Sequence, residues 1–194
     1  GYQMLEDLMF AMQATDVPII LDAKRGDIGT TQEHYAKAYF ENWPADAVTL
    51  SPYMGYDSVE PFLSYSGKGV YLLGVTSNPG AADLETQKLA DGRQVFELVC
   101  DMARRVEDGR IGLVLGLTNA SAAVLARLPD VPLLIPGYGA QGGELRALAA
   151  GAPRTAPSVI NVSRGILYAD PNLSFSEKAK NYANQITQVL GRNH

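Results

Sequence analysis

The sequence predicts an α/β fold built on a parallel sheet. Three observations carry this. Short β-branched apolar runs alternate with helical stretches along the whole chain. The runs are continuously apolar rather than alternating, as expected of strands covered on both faces. Strict alternation of strand and helix makes right-handed βαβ units, which align their strands in parallel.

The elements follow in order. A helix is expected over residues 2–14, then a strand over 17–22 and a helix over 32–42. Strands at 47–51 and 69–75 come next, then a helix at 94–106. A strand at 111–117 leads to a helix at 120–128, and a strand at 131–135 to one at 143–150. The last strand is 158–162, followed by a helix over 174–190. Asp57 reads as a helix cap, with Glu60 three residues on as in a capping box.

Periodicity leaves two architectures open, a doubly wound sheet and a (β/α)8 barrel. There are six strands where a closed barrel needs eight, and the chain opens on a helix that should follow a strand. The strand ends favour the barrel. Nearly every strand runs into a polar or Gly-rich segment, such as Ser51-Pro52-Tyr53, Thr76-Ser77-Asn78, Thr118-Asn119 and Ser163-Arg164-Gly165. An open sheet would equip only the loops at its switch point, whereas a barrel uses all of them.

The 194 residues fit a single domain, and 46% apolar against 19% charged residues is an ordinary globular balance. A net charge of −5 without a long basic run makes nucleic acid and anionic membrane poor partners. No apolar run approaches the ~20 residues of a spanning helix. The lone cysteine, Cys100, reads as core filler and fits a reducing compartment. His34 and His194 read as solvated or structural. Tyr53, Met54 and Tyr56 either line a pocket or cover a surface.

Two clusters carry chemistry. Asp22 and Lys24 stand two apart at a strand end, so both side chains project to one site. A lysine flanked by Asp22 and Asp27 keeps its proton, because nearby anions favour the ammonium. It is therefore a positioned acid and not a Schiff-base amine. Gly26 between them allows a sharp exit from the strand. At the other end, the Gly-rich loop 137–143 opens a helix, and its N–H groups suit an anion. Gln141 adds an amide donor, and Arg164 after the last strand can clamp a phosphate with paired hydrogen bonds. No His/Cys/Glu cluster has metal-ligand spacing.

The stretch Asp22-Ala23-Lys24-Arg25-Gly26-Asp27-Ile28-Gly29 resembles the D-x-K-x-x-D-I motif of orotidylate decarboxylases, in its bacterial form. Thr76–Ala81, Pro136–Gly143 and Asn161–Ile166 are similar to that family's later loops, in order and spacing. The resemblance implies a (β/α)8 TIM barrel that dimerises with its active sites at the interface and uses no metal or cofactor. It implies Lys24 as the acid that protonates C6 of the pyrimidine, with Asp22 beside the substrate carboxylate. Asp27 and Thr31 would reach into the partner subunit's site, Asp27 completing a charged array and Thr31 binding ribose. Ser77 would hydrogen-bond the pyrimidine, and Gln141 and Arg164 would hold the 5′-phosphate. Pro136, Gly142 and Ser163 belong to the same substrate-binding loops.

The resemblance therefore implies a cytoplasmic enzyme that converts orotidine 5′-monophosphate to UMP and carbon dioxide. Two residues of the family pattern lack a counterpart, an aspartate after strand 1 and a lysine after strand 2. Both would precede Gly1. Residues 1–194 are accordingly expected to be one catalytic barrel domain that is N-terminally incomplete, with its first two strands absent and its activity belonging to a complete homodimer. Two other functions compete: a Mg²⁺-dependent sugar-phosphate decarboxylase or aldolase on the same scaffold, and a non-catalytic nucleotide-binding homologue. The Gly26–Gly29 continuation and the Ser77-Asn78-Pro79 loop favour orotidylate, and the intact Asp22, Lys24 and Asp27 argue against decay.

Overall fold

The computed structural model describes residues 1–137, 143–151 and 153–191, without the side chains of 143 and 144. Six strands form one sheet in sequential order, and every neighbouring pair is parallel. They are β1 (Ile20–Arg25), β2 (Ala47–Leu50), β3 (Gly69–Val75), β4 (Ile111–Leu115), β5 (Leu133–Ile135) and β6 (Ser158–Ile160). Helix α1 (Tyr2–Gln13) precedes β1, and α2 (Gly29–Lys37) follows it and runs on into a π-helical segment, Ala38–Asn42. The remaining helices are α3 (Glu60–Leu63), α4 (Val95–Ala103), α5 (Ala122–Leu125), α6 (Gly143–Ala149), α7 (Arg164–Leu167) and α8 (Phe175–Leu190).

The sequential parallel strands with alternating helices form a curled half-barrel, in accord with the expected barrel architecture. Among the described residues β1 and β6 form the sheet's two edges. The inner strands β2, β4 and β5 are buried at every position, which is why their sequences are apolar apart from the buried Thr49 of β2. Helix α4 covers the sheet with Phe96, Val99, Cys100 and Ala103, spaced one and two turns apart on a single face. Burying Phe96 fully contributes about 1.5–3 kcal/mol. Cys100 is part of this packing, and burial pushes its thiol up to about 12, so it is the expected core filler.

Three local expectations are corrected. The first strand starts and ends three residues later than expected, so Asp22 and Lys24, expected at its end, lie inside β1. Asp57 does not cap a helix; it sits in a 3-10 turn (Tyr56–Ser58), and α3 starts from Val59 without a side-chain cap. The capping boxes are instead Gln94 with Glu97 on α4 and Ser174 with Glu177 on α8. Gly26 has no left-handed backbone. Its value is space, since a Cβ there would lie 2.8 Å from Met54 Cε and 3.2 Å from Ser51 Cβ.

Among the described residues no helix is long and apolar enough to cross a membrane. His34 is exposed on α2, as expected. His194 lies outside the described residues.

Candidate active site

The concave face of the sheet encloses a cavity of about 720 Å³. Leu73, Val114 and Leu134 give it an apolar floor from the middle strands. Asp22 and Lys24 line it from β1, Ser77 from the loop after β3, and Pro136 and Asn161 from beyond β5 and β6. Its polar groups thus stand mostly at the C-terminal ends of parallel strands, where the pleat and the loops both deliver side chains.

Lys24 Nζ donates to Asp22 Oδ2 at 2.6 Å. Both side chains remain more than half exposed, so the pair faces the cavity and not the core. The backbone beneath them is irregular. Leu21 pairs with Val48 and Arg25 with Leu50, so Asp22, Ala23 and Lys24 together oppose Thr49. This is a β-bulge, a device that re-aims side chains. Lys24 sits in it with φ 45°, in the left-handed region that side chains rarely adopt. The buried Thr49 hydroxyl fills the gap, accepting the Lys24 N–H at 2.9 Å and donating to Asp22 Oδ1 at 2.8 Å.

The Ser77 loop is built by its neighbours. Glu85 takes the Thr76 N–H on Oε2 at 2.7 Å and the Thr76 hydroxyl on Oε1 at 2.8 Å. Asn119, after β4, donates to the carbonyls of Thr76 at 2.8 Å and Asn78 at 2.9 Å. Gly116 lies so close beneath that a Cβ there would stand 2.7 Å from Ser77 Cα. On the far side, Gly137 adopts φ 78°, and its N–H reaches the Asn161 carbonyl at 3.1 Å. Asn161 Nδ2 lies 3.2 Å from Ser163 Oγ.

Of the expected site residues, Asp22, Lys24, Ser77 and Pro136 come together around the cavity. Asp27, Thr31, Ser163 and Arg164 do not line it. Asp27 caps its own loop, accepting the Ile28 N–H at 2.9 Å, and Thr31 is exposed on α2. Arg164 is exposed at the start of α7, where its carbonyl accepts the Tyr168 N–H at 3.0 Å and its guanidinium makes no hydrogen bond or ion pair with another described residue. Gln141 and Gly142, with Tyr138, lie outside the described residues. Tyr53 and Met54 are exposed and do not line the cavity, and Tyr56 packs under the Arg105 guanidinium at 4.3 Å.

Four residues at the site escaped sequence reasoning: Thr49, Glu85, Asn119 and Asn161. Asn119 and Asn161 belonged to recognised polar segments, so position at a strand end was an available signal. Thr49 looked like β-branched strand filler, and Glu85 lies nine residues beyond its partner.

The comparisons with known proteins bear on the family and the fold. The family model for "Orotidine 5'-phosphate decarboxylase / HUMPS family" matches residues 1–179. The orotidine 5'-phosphate decarboxylase of Paracidovorax citrulli is 48% identical over 97% of this chain and 72% of its own length. The structure of Leishmania donovani OMP decarboxylase superposes with a TM-score of 0.76 at 36% identity, over 91% of this chain and 70% of that one. L. donovani UMP synthase does so with a TM-score of 0.85 at 39% identity, over 97% of this chain and 42% of that one. A parallel half-barrel with an Asp–Lys pair in its concave cavity, matched at this identity over nearly its whole length, belongs to the orotidine 5'-phosphate decarboxylase / HUMPS family.

Proposed function

We propose that this chain carries orotidine 5′-monophosphate decarboxylase activity, converting orotidylate to uridylate and carbon dioxide in pyrimidine biosynthesis. The observation that carries this reading is the Asp22–Lys24 pair, 2.6 Å apart and facing a cavity that also holds Ser77. The C6–carboxylate bond breaks and carbon dioxide departs, leaving the electron pair on C6. No cofactor delocalises that charge, so the site must stabilise it electrostatically. The Lys24 ammonium stands ready beside the carbon and donates its proton to it. Asp22 holds that ammonium and crowds the substrate carboxylate with like charge.

Ser77 would take the pyrimidine edge, with Pro136 against the same ligand. Gln141 and Arg164 would hold the 5′-phosphate, with Gly142 and Ser163 in the same substrate-binding loops. Arg164 has its guanidinium uncommitted among the described residues, which suits an incoming anion. Phosphate binding far from C6 supplies energy for orienting the reacting end. Asp27 and Thr31 lie outside the cavity of their own chain, which supports their service in the cavity of a partner in a homodimer. The enzyme would act in the cytoplasm, without a metal.

Loss of orotidylate absorbance, followed with the wild type and Lys24→Ala, tests the reading. The variant should lose many orders of magnitude in rate, because proton donor and principal cation vanish together. Near-normal turnover by the variant would refute the role of Lys24. Turnover abolished by a chelator would favour a Mg²⁺-dependent relative, and binding of uridylate without decarboxylation would favour a non-catalytic one.

A further inference from the structure

We infer that Thr49 is a positioning residue for the proton donor, an inference that rests on the decarboxylase reading above. Two features single it out. Thr49 is fully buried, whereas the two charged side chains that it joins are more than half exposed. It also stands alone opposite three residues of β1, where the regular ladder leaves Lys24 N–H without its usual backbone partner.

The hydroxyl closes a ring of contacts. It accepts the Lys24 main-chain N–H at 2.9 Å and gives its single proton to Asp22 Oδ1 at 2.8 Å. The other carboxylate oxygen, Oδ2, accepts Lys24 Nζ at 2.6 Å. One buried oxygen therefore sets the Asp22 carboxylate plane and the Lys24 backbone together. Its donor and one acceptor site are both used, so no other rotamer satisfies the pair. Exposed ion pairs are weak and wander among geometries. Anchoring both partners to a fixed point in the core removes that freedom and holds Nζ toward the cavity. Thr49 does this without touching substrate, since it does not line the cavity.

The test compares full-length Thr49→Val and Thr49→Ser with the wild type. Valine keeps the β-branched shape and deletes the hydroxyl; serine keeps the hydroxyl. The expected result for valine is a kcat reduced about 10- to 100-fold, from losing a buried hydrogen-bonded pair. KM and uridylate affinity should stay within about twofold, because the phosphate and pyrimidine contacts lie elsewhere, and serine should restore most of kcat. An unchanged kcat in a folded valine variant overturns the inference, as does serine failing equally, which would assign the effect to packing. If valine does not fold, Thr49→Ala deletes the same hydroxyl and takes its place.

A second readout needs no substrate. Competitive acetylation, mapped by peptide mass, compares Lys24 with the exposed Lys180. Lys24 should acetylate several-fold faster in the valine variant alone, because its ammonium is no longer held. An inactive wild type with that acetylation change removes the decarboxylase reading and leaves the positioning role standing. An active wild type with neither change removes the positioning role.

Discussion

Glu85 grips Thr76 with both carboxylate oxygens, one on the main-chain N–H and the other on the hydroxyl. Thr76 is the last fixed point before Ser77, so this grip sets where the Ser77 hydroxyl points. Glu85→Ala should destabilise the fold by about 1–3 kcal/mol, since a partly buried N–H loses its acceptor and the hydroxyl is left with Asn78 Oδ1 at 2.6 Å. It should also raise KM several-fold. Urea unfolding and steady-state kinetics measure the two effects, and Glu85→Gln, which keeps one acceptor oxygen, should fall between. A variant with wild-type KM would show that Ser77 is held by Asn119 alone.

Gly116 is a second support of the same loop, and it acts by absence. An added Cβ would stand 2.7 Å from both Ser77 Cα and the Thr76 carbonyl carbon, and backbone cannot yield as a side-chain tip does. Gly116→Ala should cost about 1–3 kcal/mol by overpacking. Each kcal/mol lowers Tm by roughly 2–4 °C at this size. Calorimetry tests this, and an unaltered Tm would mean that the β3–β4 loops slide apart freely.

Asp130 gives a pH signature at the opposite end of the sheet. The Thr155 hydroxyl, followed by the N–H groups of Thr155 and Ala156, lowers its carboxyl from 3.8 to about 2. A folded-state value below the unfolded one adds stability that is fully present above the unfolded value. It is lost as pH falls through that value toward the folded one. The gap in unfolding midpoint between wild type and Asp130→Asn should therefore be widest above about pH 5 and close between about pH 4 and 2. A gap independent of pH would assign the effect to shape and not to charge.

Much of the architecture was legible because one signal repeats. Continuous apolar runs such as Ile111–Leu115 locate buried parallel strands, and the helix face of Phe96, Val99, Cys100 and Ala103 announces its own packing side. The pairing of Asp22 with Lys24 was legible too, since residues two apart on a strand share a face. The bulge that carries them was not. Nothing in Asp22-Ala23-Lys24 marks three residues as opposing one, because that count depends on Thr49 across the ladder. Glu85 was hidden for a related reason: its partner is distant along the chain, and an acid in a loop looks solvated. Asp57 misled because Asp-x-x-Glu is a local pattern that a 3-10 turn can also hold.

The left-handed backbone at Lys24 sets folding against chemistry at a single residue. A non-glycine side chain there costs roughly 1–2 kcal/mol, and glycine would relieve it. The substitution that a search for greater thermal stability would choose first is thus the one that erases the proton donor. Stabilised variants selected without an activity screen would accumulate loss of function at this position, while the rest of the sheet stayed intact.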